Sequence, residues 1–375
     1  MPADSSSDAE LVATVGDVVQ RPRVEPADSF VLHAPLELAA RSALLPWVAR
    51  PARDEARDRL RALATAYARA GDPLAAPRLR TFASPEDATV RLVAAIDAGD
   101  LDEVDATAAW IGRAVAPTQL RSLLAAELAP RLAAAAHAPI FLYLLPRVSP
   151  RGELTAELLR PLARELARAP EWRLSWHEGL TRGGRAGASA LWESIAATPQ
   201  LGVPGSDFIH PLMSQAERTG VAAELLRGVV GSLDLAGGAR VLLRAAARSM
   251  LDEPDDYAPY GWSHCLTMPQ GVLGSAGTSG HPVLALAVAA TFVVGFRAAL
   301  ASRPLGDDVP VDPPEESVTE IVTFAAIHED AHLVKYTLAC LDAAAWDRQR
   351  AGLYLSAAAR LGRYWRERVT DPAAA

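Results

Sequence analysis

The chain has 375 residues, half of them hydrophobic, and a formal net charge of −8 at pH 7. Alanine and leucine, which both favour helices, dominate the composition, so the sequence predicts an all-α protein with a large buried core. Lys and Arg form no continuous stripe, which argues against nucleic acid as a partner. The two cysteines, Cys265 and Cys340, provide neither a disulfide framework nor a CxxC metal motif, and this usage suits the reducing cytoplasm.

The domain organisation follows from where the helical pattern begins. Residues 1–28 are rich in Ser, Asp, Pro and Val without a period, so we predict a mobile N-terminal tail there. Residues 29–370 repeat apolar positions at helical spacing between Pro and Gly breakers, which predicts around 14–18 helices. These helices would form one catalytic domain, as a large single bundle or as two closely packed lobes, 29–200 and 201–370.

The longest apolar run covers residues 282–296. A membrane-spanning helix needs about 20 apolar residues, so this shorter run predicts a fully buried core helix. We therefore expect no membrane partner and a cytoplasmic location.

A group of ionisable residues lies in a predicted helix over residues 317–344. His328, His332 and Lys335 recur there at i, i+4 and i+7, and at about 100° per residue these positions share one face. Imidazole and ammonium groups on a buried helix are costly unless they are paired or bound to a metal. The alternative is a partly exposed edge on which Glu329 or Asp330 pairs with Lys335.

The same segment matches the motif H-E-x-x-H, in which two histidines bind zinc and the glutamate activates water. His328, Glu329 and His332 would fill these roles in a zinc metallohydrolase. No histidine follows His332 in the chain, and no strand pattern lies nearby to hold an extended peptide. A zinc enzyme and a non-catalytic helical scaffold are the two alternatives.

A second group begins at Tyr260, in the segment Y-G-W-S-H-C-L-T-M-P. We predict a glycine-containing loop over residues 252–263 that brings His264 to the start of an apolar helix, where Thr267 can act as a cap. The aromatic rings of Tyr260 and Trp262 favour a pocket for a flat ligand, with Thr267 beside it. An ordinary aromatic loop packed on the core is the alternative.

Two further histidines, His33 and His137, are each followed by Ala-Pro. Together with the two groups above, they resemble the questin oxidase-like family over residues 28–365. Its element N-H-G-P-M has the counterpart L-H-A-P-L around His33, with Leu32 in place of Asn, and its element P-R-L…H has the counterpart P-R-L…H-A-P-I-F around His137. The elements H-x-V-T-x-P and D-x-H-x-x-K have the counterparts H-C-L-T-M-P from His264 and D-A-H-L-V-K around His332.

The resemblance implies a non-haem iron-dependent oxygenase that opens a ring of an aromatic polyketide, such as an anthraquinone, by Baeyer–Villiger or dioxygenase-type chemistry. It implies Fe(II), O₂ and a small aromatic substrate as cofactor and partners, with NADPH as a candidate reductant, whereas Zn belongs to the alternative. The implied metal ligands are His33, His137, His264, His332 and a carboxylated Lys335, with His328 as an alternative or supporting residue; His264, His332 and Lys335 are the implied catalytic residues. Imidazole ligands suit Fe(II), and a buried amine can react with CO₂ to become an oxygen donor.

Overall fold

The computed structural model describes residues 3–148, 155–183, 187–206, 208–254 and 259–369. These residues form 17 α-helices with short 3-10 turns and one π-helical turn, and no strand is present among them. The all-α prediction is confirmed. The chain divides into two compact units, Met1–Arg173 and Leu174–Ala375. The predicted domain limits at residues 1 and 370 lie outside the described residues.

The described residues of the first unit form eight helices. They are α1 (Ala3–Val19), α2 (Ser29–Leu44), α3 (Arg53–Ala68), α4 (Pro85–Asp97), α5 (Leu101–Ala114), α6 (Pro117–Leu128), α7 (Ala138–Val148) and α8 (Thr155–Arg168). Helix α5 packs against α4 and α8, and α7 packs against α2 and α6. The contact between α2 and α7 is the one that positions the first group of histidines.

The N-terminal segment, predicted as a mobile tail, contains helix α1. Its Val15 and Val19 side chains are buried, and the helix packs against α2 and α3. The helix has few apolar residues in the sequence, but those near its C-terminal end reach the core. Tertiary packing therefore stabilises a segment whose composition alone indicates no regular structure.

In the part of the second unit that the structure describes there are nine helices. They are α9 (Ala188–Ala196), α10 (Ile209–Arg218), α11 (Val221–Val230), α12 (Leu235–Asp252), α13 (Pro259–Val272), α14 (Pro282–Leu300), α15 (Val318–Ile327), α16 (Ala331–Trp346) and α17 (Ala351–Val369). Helix α14 contacts α10, α11, α12 and α13, so it is the central helix of this unit. By length and composition it could cross a membrane, but 89% of its most apolar window is buried inside the protein. The predicted core helix is confirmed.

Two local predictions in the second unit are wrong. The single helix expected over residues 317–344 is two helices, α15 and α16, because Asp330 caps the second one by accepting a hydrogen bond from the Leu333 amide at 2.7 Å. A loop is predicted over residues 252–263, but α13 begins at Pro259, so residues 259–263 are helical. Burial of almost the whole of α13 overrides the breaking tendency of its glycine and proline.

Candidate functional site

The first unit brings together two predicted ligands, His33 on α2 and His137 immediately before α7. Their Nε2 atoms lie 2.9 Å apart, and their ring centroids are 4.7 Å apart. His33 is 7% exposed and His137 is 1% exposed, so water reaches neither ring freely. Two imidazoles at this separation in a protein interior must share either a proton or a cation, because two lone pairs facing each other repel.

The tautomer of His137 follows from its other ring nitrogen. Nδ1 lies 2.6 Å from the carbonyl oxygen of Ala135, and a carbonyl can only accept a hydrogen bond, so Nδ1 carries the proton. The neutral ring then presents a lone pair at Nε2. Nitrogen ligands at ~2.1 Å from one ion lie about 3.0 Å apart when they subtend a right angle. The 2.9 Å separation of the His33 and His137 nitrogens matches that spacing.

The backbone before His137 has an unusual conformation. Ala134, Ala135 and Ala136 have φ angles of 53°, 49° and 54°, and they are the only non-glycine residues with positive φ in the part of the chain that the structure describes. The left-handed conformation costs an L-residue roughly 1–2 kcal/mol, so this turn costs about 3–6 kcal/mol. Contacts elsewhere in the unit must offset that cost.

Sequence analysis missed a buried ion pair one turn beyond His33. Glu37 accepts hydrogen bonds from the Arg41 guanidinium at 2.6–2.7 Å, and both side chains are almost fully buried. Arg59 lies 3.8 Å from the same carboxylate. The i+4 spacing after His33 places Glu37 on the same face of α2, and this spacing was visible in the sequence.

In the second unit, His264 lies within α13 rather than in a loop. Its Nδ1 donates a hydrogen bond to the Tyr260 carbonyl at 2.7 Å, so its Nε2 also presents a lone pair. The His264 ring meets the His332 ring edge-on, with centroids 4.9 Å apart. The centroids of the Tyr260 and His332 rings are 4.6 Å apart. Two predicted ligands of this unit are therefore in contact.

Burial and two charged neighbours, Lys335 and Asp330, determine the pKa of His332. Burial lowers the pKa of this imidazole, the positive charge of Lys335 lowers it further, and Asp330, 3.6 Å from Nδ1, only partly opposes them. Burial raises the pKa of Asp330, but hydrogen bonds from His332 and the Leu333 amide, together with the positive charge of Lys335, outweigh that effect and bring it below its usual value. A neutral His332 beside an ionised carboxylate matches the carboxylate–histidine arrangement common in metal sites. Lys335 is 6% exposed and lies one turn beyond His332.

The surroundings of His328 differ from those of the four histidines predicted as metal ligands. It caps the C-terminal end of α15, and the break between α15 and α16 removes the shared face that a single helix predicts. Its ring packs against Phe324 and Trp365, with centroid distances of 5.4 and 5.2 Å. The continuous helix on which H-E-x-x-H enzymes place both histidines is absent here.

The three residues predicted to line a substrate pocket have different surroundings. Tyr260 is 45% exposed, and its hydroxyl donates to Asp330 at 3.3 Å. Trp262 is 1% exposed, and its Nε1 has no hydrogen-bond partner among the described residues. Thr267 donates to the Ser263 carbonyl inside α13, so it does not cap the helix. Tyr260 is the member of this set that a ligand from solvent can reach.

The predicted ligands are thus paired within each unit. His33 contacts His137 in the first unit, and His264 contacts His332 in the second, with Lys335 one turn further along α16. The binding of all five residues to one ion stays a prediction. Sequence analysis did not anticipate the carbonyl groups of Ala135 and Tyr260, which fix two tautomers, because backbone acceptors have no sequence signature.

Comparison with protein-family models, with curated proteins and with solved structures found no match to this chain. The resemblance to the questin oxidase-like family is therefore untested by these comparisons.

Proposed function

We propose that this chain is a non-haem iron-dependent oxygenase that cleaves a ring of an aromatic polyketide-like substrate, by Baeyer–Villiger or dioxygenase-type chemistry. The observation that supports metal binding best is the His33–His137 pair, with buried Nε2 atoms 2.9 Å apart. The oxygen chemistry and the substrate class rest on the four motifs that resemble the questin oxidase-like family.

The donor set of the second unit fits the same proposal. His264 presents Nε2 because Nδ1 is bound to a carbonyl, and burial keeps His332 in its neutral, metal-binding form. Imidazole-rich sets suit Fe(II). Lys335 would add an oxygen donor if its neutral amine attacked CO₂, which forms an N–C bond and releases one proton. The resulting carbamate would supply negative charge that neutral imidazoles lack.

Bound iron would supply open coordination positions and electrons for reaction with O₂. The residues of the chain would perform the other tasks. The carbonyls of Ala135 and Tyr260 accept hydrogen bonds from Nδ1 of His137 and of His264. The Asp330 carboxylate, 3.6 Å from Nδ1 of His332, would orient that ring. Burial of these rings limits access of water, which would strengthen their electrostatic interactions.

Substrate would approach from the side of Tyr260. This ring is exposed on one part and contacts His332 on another, so an aromatic molecule stacked on it would lie beside a proposed ligand. Burial and the Asp330 carboxylate both raise the pKa of the Tyr260 hydroxyl, which keeps it a hydrogen-bond donor across the neutral range. Its single proton is donated to Asp330, so the Tyr260 oxygen is left to accept a hydrogen bond from a phenolic hydroxyl of the substrate.

Metal analysis tests the first part of the proposal. Untagged protein would be reconstituted anaerobically with Fe(II), desalted and analysed for bound iron. We expect stoichiometric iron in the wild type, loss of iron in His137→Ala, and no loss in the matched control His281→Ala, whose histidine is exposed at the start of α14. Absence of stoichiometric iron in the wild type would overturn metal binding, whereas its retention in His137→Ala would overturn the role of His137 as a ligand.

Oxygen consumption tests the second part. The iron-loaded protein would be mixed with a panel of hydroxylated anthraquinones, with and without NADPH, and O₂ uptake would be followed together with the mass of the products. NADPH would supply the two electrons that reduce the second oxygen atom to water when one atom enters the substrate, whereas addition of both atoms needs no external reductant. We expect uptake and a product heavier by one or two oxygen atoms. Stoichiometric iron without substrate-dependent uptake across the panel would overturn the substrate class while leaving metal binding intact.

A further inference from the structure

A left-handed turn precedes His137, and nothing in the local sequence demands it. Ala134, Ala135 and Ala136 all have positive φ angles, although a run of alanines is the strongest right-handed helix former known. The turn is closed by its own hydrogen bonds, from the Ala136 amide to the Leu132 carbonyl at 2.9 Å and from the His137 amide to the Ala134 carbonyl at 3.0 Å. It is therefore an ordered structure and not a disordered connection.

The first unit fixes this turn on both sides. Before it, the Leu132 amide donates to the Trp172 carbonyl at 2.7 Å, and the buried Arg131 donates to Asp97 at 2.7 Å. After it, α7 begins at Ala138 and packs against α2, the helix that carries His33. Strained backbone that is tied down on both sides commonly marks a functional position.

The strained backbone makes one specific hydrogen bond possible, which His137 Nδ1 donates to the Ala135 carbonyl at 2.6 Å. In a right-handed helix the Ala135 carbonyl would point along the axis toward the amide of residue 139. Residue 139 is proline, which has no amide hydrogen, so no such partner is available. The left-handed turn instead directs this carbonyl at the imidazole that follows it.

We propose that the turn Ala134–Ala136 is a positioning device for His137, in which the Ala135 carbonyl locks the imidazole as the Nδ1–H tautomer and thereby presents Nε2 to a divalent metal. The metal part of this inference rests on the proposed function, whereas the tautomer part does not. Ala135 is a positioning residue because it acts only through the imidazole of His137.

Two substitutions at one position test the device. Ala135→Gly keeps the carbonyl and tolerates positive φ, whereas Ala135→Val places a β-branched side chain where positive φ is strongly disfavoured. Matched controls are Ala62→Gly and Ala62→Val, at an exposed position of the right-handed helix α3. The first readout is the pair of ¹⁵N shifts of the His137 ring in metal-free protein, assigned with His137→Gln. The second readout is the affinity for Co(II), used as an air-stable probe of the divalent site.

We expect the Nδ1–H tautomer in the wild type, in Ala135→Gly and in both Ala62 variants. Ala135→Val should populate the Nε2–H tautomer and bind Co(II) roughly 10–100-fold more weakly, which is the usual effect of losing a partner that orients a ligand histidine. An unchanged tautomer and affinity in folded Ala135→Val would overturn the inference and leave the proposed function standing. If Ala135→Val does not fold, the wild-type shifts decide, because a dominant Nε2–H tautomer there would overturn the inference. Absence of Co(II) binding in the wild type together with a locked Nδ1–H tautomer would overturn the metal role of the turn and the proposed metal site, while keeping the tautomer lock.

Discussion

The backbone amide of Asp330 donates a hydrogen bond to Nδ1 of His328 at 3.0 Å. An amide can only donate, so Nδ1 of His328 is an acceptor and the neutral ring carries its proton on Nε2. This is the opposite tautomer from His137 and His264, whose Nδ1 atoms donate to carbonyls. The hydrogen-bond pattern therefore separates His328 from the proposed ligands, although it lies only four residues from His332.

We expect His328→Asn to retain bound iron, because the Asn side-chain oxygen can accept the Asp330 amide as Nδ1 does. His332→Asn should lose the iron, since its amide side chain is a poor ligand for Fe(II). Iron content after anaerobic reconstitution measures both. Equal loss in the two variants would restore His328 as a ligand.

The left-handed turn predicts an unusual stability effect. Ala134→Gly should stabilise the protein, or leave it unchanged, by about 0–1 kcal/mol, because relief of roughly 1–2 kcal/mol of backbone strain exceeds the added unfolded-state entropy. Ala62→Gly in α3 should destabilise it by about 1 kcal/mol. Urea unfolding of the two variants measures the difference. Equal destabilisation at both positions would contradict a left-handed backbone at Ala134.

Both thiols should be inert in the folded protein. Cys265 and Cys340 are completely buried, and burial raises the pKa of Cys265 to about 12 and that of Cys340 further. Since the thiolate is the reactive form, only about one Cys265 in 10⁵ would be reactive at neutral pH even if a reagent could reach it. A thiol-specific dye should label neither cysteine under native conditions and both in denaturant. Rapid labelling of either one in the native state would contradict this burial.

The Glu103 carboxylate predicts how stability depends on acid. A hydrogen bond from Arg91 lowers the pKa of this carboxyl group, Arg80 adds to the effect, and burial opposes it. The unfolded chain, with an ordinary glutamate pKa of about 4.3, then binds more protons at low pH than the folded protein does. Glu103 thus contributes stability that is present above pH ~4.3 and is lost as the pH falls toward the folded-state pKa.

Glu103→Gln tests that sign. The variant should be less stable than the wild type near neutral pH, and the gap should narrow as the solution is acidified below pH ~4.3. Urea midpoints of both proteins across this range measure the gap. Arg61→Gln, which removes an exposed ion pair with Asp58, serves as the control and should change stability little at any pH. A gap that stays constant on acidification would refute the role of Glu103.

The sequence anticipated the helical class better than the local backbone around the histidines. Apolar spacing and Pro or Gly breakers are signals of short range, and the core helix Pro282–Leu300 follows them. The sequence also contains the signal for the break between α15 and α16. Asp330 is a strong helix cap, and it stands three residues before Leu333, whose amide it binds. Apolar residues continue on both sides of Asp330, and their spacing predicts one unbroken helix instead.

Other features were beyond local sequence rules. Nothing in four consecutive alanines indicates a left-handed turn, because alanine favours the right-handed helix. Contacts of Arg131, Trp172 and α7 with the rest of the unit help to stabilise the alternative. The inclusion of His264 in α13 likewise depends on packing of that helix against α14 and α16. Tertiary contacts decide such positions, and they involve residues distant in the chain.

Helix α14 also bears on how the protein is made. This 19-residue helix, which is predominantly apolar, would partition into a lipid bilayer if it met one before it met its partner helices. The helices α10, α11, α12 and α13, which cover it, all precede it in the chain and so leave the ribosome first. The order of the helices along the chain thus prepares a protein binding surface for α14 before lipid can compete for it.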